Sequence, residues 1–204
     1  SGVVDTFNCR VRNLVQDWDS STGTWVERAS SNPASQFRAL LQGLGTRKPI
    51  PDSQINLEDL QEWHEACAAK GWQFNAVIDF AGTMWDRLVD IAAAGRAVPA
   101  NRDGKWTVVR DVEQTVPRQH FTPRNSWGFK GRKSFPDATH GLRVKFVDRN
   151  DGYNPDAERI VLADGYQLGG FDAWGVSHPE YPAATNLETL ELFGVTSADE
   201  AFMH

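Results

Sequence analysis

The sequence changes character at Pro117, and no other feature constrains its fold as strongly. Before that point, apolar residues recur at helical spacing inside well-punctuated segments. After it, Gly, Pro and aromatic residues dominate and short runs alternate apolar with polar residues. Helices early and strands late predict an α+β chain, with helices clustered in the first half and an antiparallel, β-rich second half. The expected parts are residues 1–117 and 118–204, and the sequence leaves open whether they pack as one body.

The punctuation is specific. Residues 5–15, with Phe7, Cys9, Val11 and Leu14-Val15, predict a strand, Asp17-Trp18-Asp19 and residues 20–24 a polar turn, and Trp25-Val26 an extended segment. Asn32 is placed to cap a first helix, Pro33 suits its first position, and Phe37, Leu40 and Leu41 share a face. Gly43 and Gly45 end it, and a linker with Pro49 and Pro51 follows. Asn56 caps a second helix with Leu57, Leu60, Trp63 and Cys67 on one side, ending at Gly71. Residues 72–80 alternate Trp72, Phe74, Ala76, Ile78 and Phe80 against polar neighbours, the pattern of a half-buried strand. Thr83-x-x-Asp86 opens a third helix with Trp85, Leu88, Ile91 and Ala92 inward. Asp103-Gly104 predicts a hairpin turn before a strand at 105–111.

In the second half, Leu142, Val144 and Phe146 alternate with Arg143 and Lys145, a turn spans residues 148–155, and a strand resumes at 159–162. Residues 164–186 read as loop, 189–193 as a last strand. Thr196-x-x-Asp199 and Ser197-x-x-Glu200 announce a helix with the chain stopping at His204, so a piece of a longer protein is expected.

Charge is unevenly spread. Residues 124–149 carry Arg124, Lys130, Arg132, Lys133, Arg143, Lys145 and Arg149 against Asp137 and Asp148; from 150 onward Arg159 faces ten acidic residues. Such asymmetry marks either a charged interface or solvated strand faces. A net charge of −6 argues against general nucleic-acid affinity, and no run approaches the roughly 18 apolar residues of a membrane span. Cys9 and Cys67 are too few for a disulfide scaffold and read as small core residues, with a disulfide between them left open.

Candidate chemistry is sparse. Residues 148–156 hold five Asp or Asn side chains around Gly152, but the glycine is one position early for a calcium loop and Pro155 interrupts it, which favours a plain turn. His64-Glu65 begins like a zinc-protease helix, yet Ala68 stands where the second histidine belongs. His64 and Cys67 lie one helical turn apart, the spacing of a thiol site, and equally of a histidine beside a core residue. Asp79, Asp86 and Asp90 are the carboxylates that could serve glycosidic hydrolysis; capping explains Asp86 and a solvent face Asp90. Among eight tryptophans, Trp63, Trp72, Trp85 and Trp106 fit a core, whereas Trp18, Trp25, Trp127 and Trp174 fall near turns, where packing, subunit contact or stacking on a sugar are the alternatives.

Several motifs, taken in order, resemble one family. Asn32-Pro33-Ala34 with Phe37 to Leu41, then Phe74-Asn75-Ala76-Val77-Ile78-Asp79, then Ile91-Ala92-Ala93-Ala94, follow its helix–helix–strand–helix order. Gly104-Lys105-Trp106-Thr107-Val108, Phe121-Thr122-Pro123-Arg124-Asn125, the alternating 141–148 run and Leu192-Phe193-Gly194-Val195-Thr196 continue it. The sequence thus resembles the tail-tip proteins of tailed phages, the host specificity protein J family that includes tail proteins of gene-transfer agents. A Tyr-Gly-x-Gly turn usual after the family's first helix is replaced by Gly43-Leu44-Gly45-Thr46, and residues 164–186 match nothing in it. The resemblance implies an internal structural domain of a baseplate hub in the virion, synthesised in the bacterial cytoplasm. It implies three copies around the tail axis, joined to other tail proteins, and carries over no catalytic residue, metal or cofactor. A carbohydrate- or receptor-binding domain, or a cell-wall hydrolase, are the alternatives.

Overall fold

The computed structural model describes residues 11–43, 47–79, 81–113, 117, 119–131 and 138–203. Its first half is three helices and two hairpins around one core. Strand β1 (Leu14–Asp19) pairs antiparallel with β2 (Thr24–Ala29), Leu14 opposite Ala29 and Asp19 opposite Thr24. The expected strand at 5–15 is described only at its end, and residues 17–19 are strand rather than turn. β1 continues because Val15 and Asp17 both turn inward, and the reversal is made one step later by residues 20–23.

Helix α1 (Pro33–Leu41) starts as expected: the Asn32 side chain accepts from the Ala34 N–H at 3.0 Å. Gly45, one of its predicted stops, lies outside the described residues. α2 (Leu57–Lys70) is capped by Asn56 and ends at Gly71 in the left-handed region. α3 (Met84–Ala94) begins with a full capping box between Thr83 and Asp86. Strands β3 (Ala97–Arg102) and β4 (Lys105–Arg110) form a hairpin whose turn residues Asp103 and Gly104 have φ of 54° and 77°. Positive φ at both central positions matches the twist of the strands, and Gly104 adopts it without cost. Phe37, Leu41, Leu60, Trp63, Cys67 and Leu88 are fully buried at the centre of this half.

Two expectations fail here. Residues 72–79 belong to no sheet. Only Phe74 is buried, while Val77 is 81% and Ile78 41% exposed; Phe80 lies outside the described residues. Alternation makes a strand only where a ladder partner is available, and this segment spends its amides elsewhere: Phe74 N–H on Ser31 O and Asn75 N–H on Gly194 O, both at 2.8 Å. Trp85 is half exposed rather than inward, because the buried stripe of α3 runs through Leu88, Ile91 and Ala92; its ring meets Trp106 at 6.2 Å.

The second half is a three-stranded sheet in the order β6-β5-β7, with β5 spanning Gly141–Asp148, β6 Asn154–Leu162 and β7 Leu187–Glu191. β5 and β6 are antiparallel as expected, but β7 is parallel to β5. Register explains it. Leu162 at the end of β6 and Leu187 at the start of β7 both face Gly141, so residues 163–186 leave and return at one end of the sheet. Val144, Phe146, Val195 and Ala201 form its small core, closed by helix α4 (Ala198–Met203) where the 196–200 signals placed it. Among the described residues no helix is long and apolar enough to cross a membrane.

Candidate functional site

The densest polar cluster centres on Asp17. Strand alternation aims its side chain under the β1–β2 hairpin, where it is 5% exposed. Ser35 Oγ donates to its Oδ1 at 2.6 Å, His64 Nε2 meets the same oxygen at 2.9 Å, and Arg28 Nε donates to Oδ2 at 2.6 Å. Burial alone would raise this carboxyl. Hydrogen bonds from Ser30, Ser35, His64 and Arg28 outweigh it and hold the pKa at about 2. Ser, His and Asp are thus assembled, but in the wrong order for nucleophilic catalysis. There the imidazole lies between hydroxyl and carboxylate to take the proton; here Asp17 lies between, and Ser35 is fully buried. The cluster clamps β1, β2, α1 and α2 together. Beside it is a surface depression of about 450 Å³ lined by Trp18, Arg28, His64 and Glu65. Trp18 Nε1 donates to Glu65 Oε1 at 2.9 Å, so the rim is bonded to itself.

The residues singled out from the sequence are dispersed. Cys67 is in the core, burial pushes its thiol up to about 12, and His64 directs Nε2 to Asp17. The thiol therefore stays protonated at neutral pH. Cys9 lies outside the described residues. Asp86 accepts from the Thr83 hydroxyl and N–H, which lowers its pKa, and Asp90 pairs with Arg87 at 3.1 Å. Asp79 is exposed on the 72–79 segment. In the 148–156 turn, Asp148 accepts from Asn150 N–H, Asp151 from Asn154 Nδ2 and Asn154 from Asp156 N–H. These bonds shape a plain turn.

The tryptophans divide sharply. Trp63 is fully buried and donates to Gly95 O at 2.8 Å. Trp25 packs against the main core with Arg38 stacked 4.4 Å over its ring, and Trp18 leans on it at 5.6 Å. Trp127 and Trp174 remain 89% and 70% exposed. Of the four turn-associated rings, Trp18 and Trp25 are packed, Trp174 meets Phe202 edge-on at 5.6 Å while staying largely exposed, and Trp127 faces solvent.

Sequence reasoning missed the seam between the halves. Phe74 meets Phe193 at 6.0 Å, and a Cβ on Gly194 (φ +84°) would come within 2.4 Å of the Phe74 ring. Glu200, 3% exposed, reaches back from α4 to accept the Gln73 N–H at 2.6 Å. Burial is the main influence on this carboxyl and lifts it to about 7 against the lowering effects of that hydrogen bond and of Arg149. In the sequence Glu200 reads as part of a helix start; nothing local marks a partner 127 residues away.

Compared with known proteins, the chain matches no family and no curated relative.

Proposed function

We propose that this chain is a structural domain of a tailed-phage or prophage tail tip, part of the hub that links tail tube to host-contacting regions. The ordered motifs that resemble the protein J family motivate the reading. The observation that carries it is the state of the segment holding Phe121-Thr122-Pro123-Arg124-Asn125. Thr122 and Asn125 fix a tight turn, with Asn125 Oδ1 accepting the Thr122 N–H at 2.6 Å, yet Phe121, Trp127 and Phe129 around it are 69%, 89% and 96% exposed. A defined backbone that holds three aromatic rings in water is what a subunit contact looks like before its partner arrives. The buried Asp17 cluster of the first half, by contrast, bonds to itself and serves packing. Immunogold electron microscopy with antibodies to this domain, on particles induced from the source organism, tests the reading. Gold at the distal tail end is expected; unlabelled tails with the epitope shown accessible would overturn it.

Exposed Trp127 and Trp174 favour one second reading, a carbohydrate-binding surface, since indole faces stack on sugar rings. A glycan array read by tryptophan emission separates the two, because a scaffold leaves the emission unchanged at millimolar sugar.

A further inference from the structure

We propose that the 119–131 arm of one copy of this chain packs on the 164–181 loop of a second copy. The pairing rests on the assembly role proposed above and names the two surfaces that meet.

The arm is bonded only to itself among the described residues. Asn125 Nδ2 donates to His120 O at 2.7 Å and Ser126 Oγ to Thr122 O at 2.6 Å, closing the turn already described. Residues 123–131 are all exposed. Between 119 and 131 the chain carries Arg124, Lys130 and no acidic residue. Neither cation has a carboxylate within ion-pair distance among the described residues. The strand cations are already engaged: Arg143 and Lys145 both face Glu158 at 3.8 Å, and Arg159 faces Asp199 at 3.8 Å. Among the described residues, Arg124 and Lys130 thus add unpaired positive charge to the arm, interleaved with its exposed rings.

The loop is its complement. Residues 163–186 start and finish beside Gly141, and the neck is stitched: Gln167 N–H donates to Pro182 O at 3.1 Å, Ala184 N–H to Gln167 O at 2.8 Å. His140 stacks on Tyr166 at 4.2 Å and accepts the Thr185 N–H, fixing the base. At the tip, Asp172 Oδ1 accepts the N–H groups of Trp174 and Val176 at 2.9 and 2.8 Å. That pinned tip leaves Phe171, Trp174 and Val176 52%, 70% and 52% exposed, with one edge of Trp174 resting on Phe202 at 5.6 Å. From residue 160 to the end there is no Lys or Arg, and Asp164, Asp172 and Glu180 give the loop its charge; within it His178 meets Asp172 Oδ2 at 3.3 Å and Glu180 Oε1 at 2.9 Å.

One surface is aromatic and basic, the other aromatic and acidic, and both are preorganised by their own hydrogen bonds. Opposite charge fixes which apolar patch meets which, and buried rings supply the affinity. Among the described residues no hydrogen bond, ion pair or ring contact joins the arm to the loop of its own chain, and their opposite charge points to a contact between copies. An arm-to-loop contact uses different patches on the two partners and leaves each copy with one free arm or loop, which lets copies close into a ring.

The test is site-specific photo-crosslinking. Unlabelled protein carrying a benzophenone amino acid in place of Trp127 is mixed with ¹⁵N-labelled protein, irradiated and digested. A cross-link from unlabelled residue 127 to labelled peptides of 164–181 is expected. Lys130→Glu should cut its yield about tenfold by opposing Glu180, and adding Glu180→Lys should restore it, which a change in folding would not do. Cross-links confined to one chain, or to any other region of the second copy, overturn the pairing, as does a monomer by sedimentation at millimolar concentration. Gold-labelled tail tips without the arm-to-loop product would sink this inference alone. The product combined with unlabelled tails would sink the tail-tip reading and leave the pairing intact.

Discussion

Asp17 and Glu200 are both buried carboxylates, and their surroundings drive them in opposite directions. Asp17 gathers Ser30, Ser35, His64 and Arg28, so its folded pKa of about 2 lies below the ordinary 3.8. A depressed acid contributes stability at pH above its unfolded value, and that contribution is lost as pH falls through the folded one. Asp17→Asn should therefore lower the unfolding free energy by roughly 2 kcal/mol at pH 7 and by much less near pH 2. Urea titrations at both pH values measure this, and equal losses would contradict an electrostatic clamp. Glu200 behaves inversely. Its folded pKa of about 7 exceeds the ordinary 4.5, so the folded chain holds the proton more tightly. Stability is then greatest below pH 4.5 and declines as pH rises to 7, where ionisation in the seam costs roughly 2–3 kcal/mol. Glu200→Gln keeps an acceptor for the Gln73 N–H without the charge. Its melting temperature should exceed the parent's at pH 8 and match it near pH 4; a parent-like melt at both would remove the seam carboxyl from the pH dependence.

At the scale of elements, local chemistry was legible and long-range pairing was not. Asn32 with Pro33, Asn56, Thr83 with Asp86 and Asp103-Gly104 each start or turn an element, because a cap or turn satisfies its own backbone within a few residues. Removing one such bond has a calculable cost: Thr83→Ala should destabilise the domain by about 1 kcal/mol, with Thr83→Ser restoring most of it, in chemical denaturation. The 72–80 alternation was equally clear in sequence but made no strand, since a ladder depends on what lies alongside. The β5–β6 hairpin could be foreseen from alternation and a turn, whereas the parallel return of β7 could not, because nothing within residues 163–186 states at which edge the chain re-enters.

On the scale of the whole molecule, the two halves have unequal cores. Among the described residues the first buries fourteen apolar residues in one cluster and the second four, joined through the Phe74, Gly194 and Glu200 seam. Local opening follows buried contact, so amides of β5 to β7 should exchange with deuterium faster than those of α2; equal protection would mean that the seam couples the halves into one cooperative unit. Deleting residues 119–131 removes exposed rings and no contact of the core. The melting temperature should then stay at the parental value while self-association is lost, which calorimetry and sedimentation on the same sample can check.

The amino-acid sequence by itself determined the α+β class, the three early helices with their caps, the hairpin turns and the uneven charge, all properties set by neighbours within a turn or two of chain. Only the tertiary structure decided that Asp17 is a buried hub, that Glu200 reaches Gln73, that Trp18 and Trp25 pack while Trp127 faces water, and that β7 runs parallel to β5. Burial and pairing depend on which distant surfaces meet, and a side chain's pKa or exposure is a property of that meeting, not of the residue type.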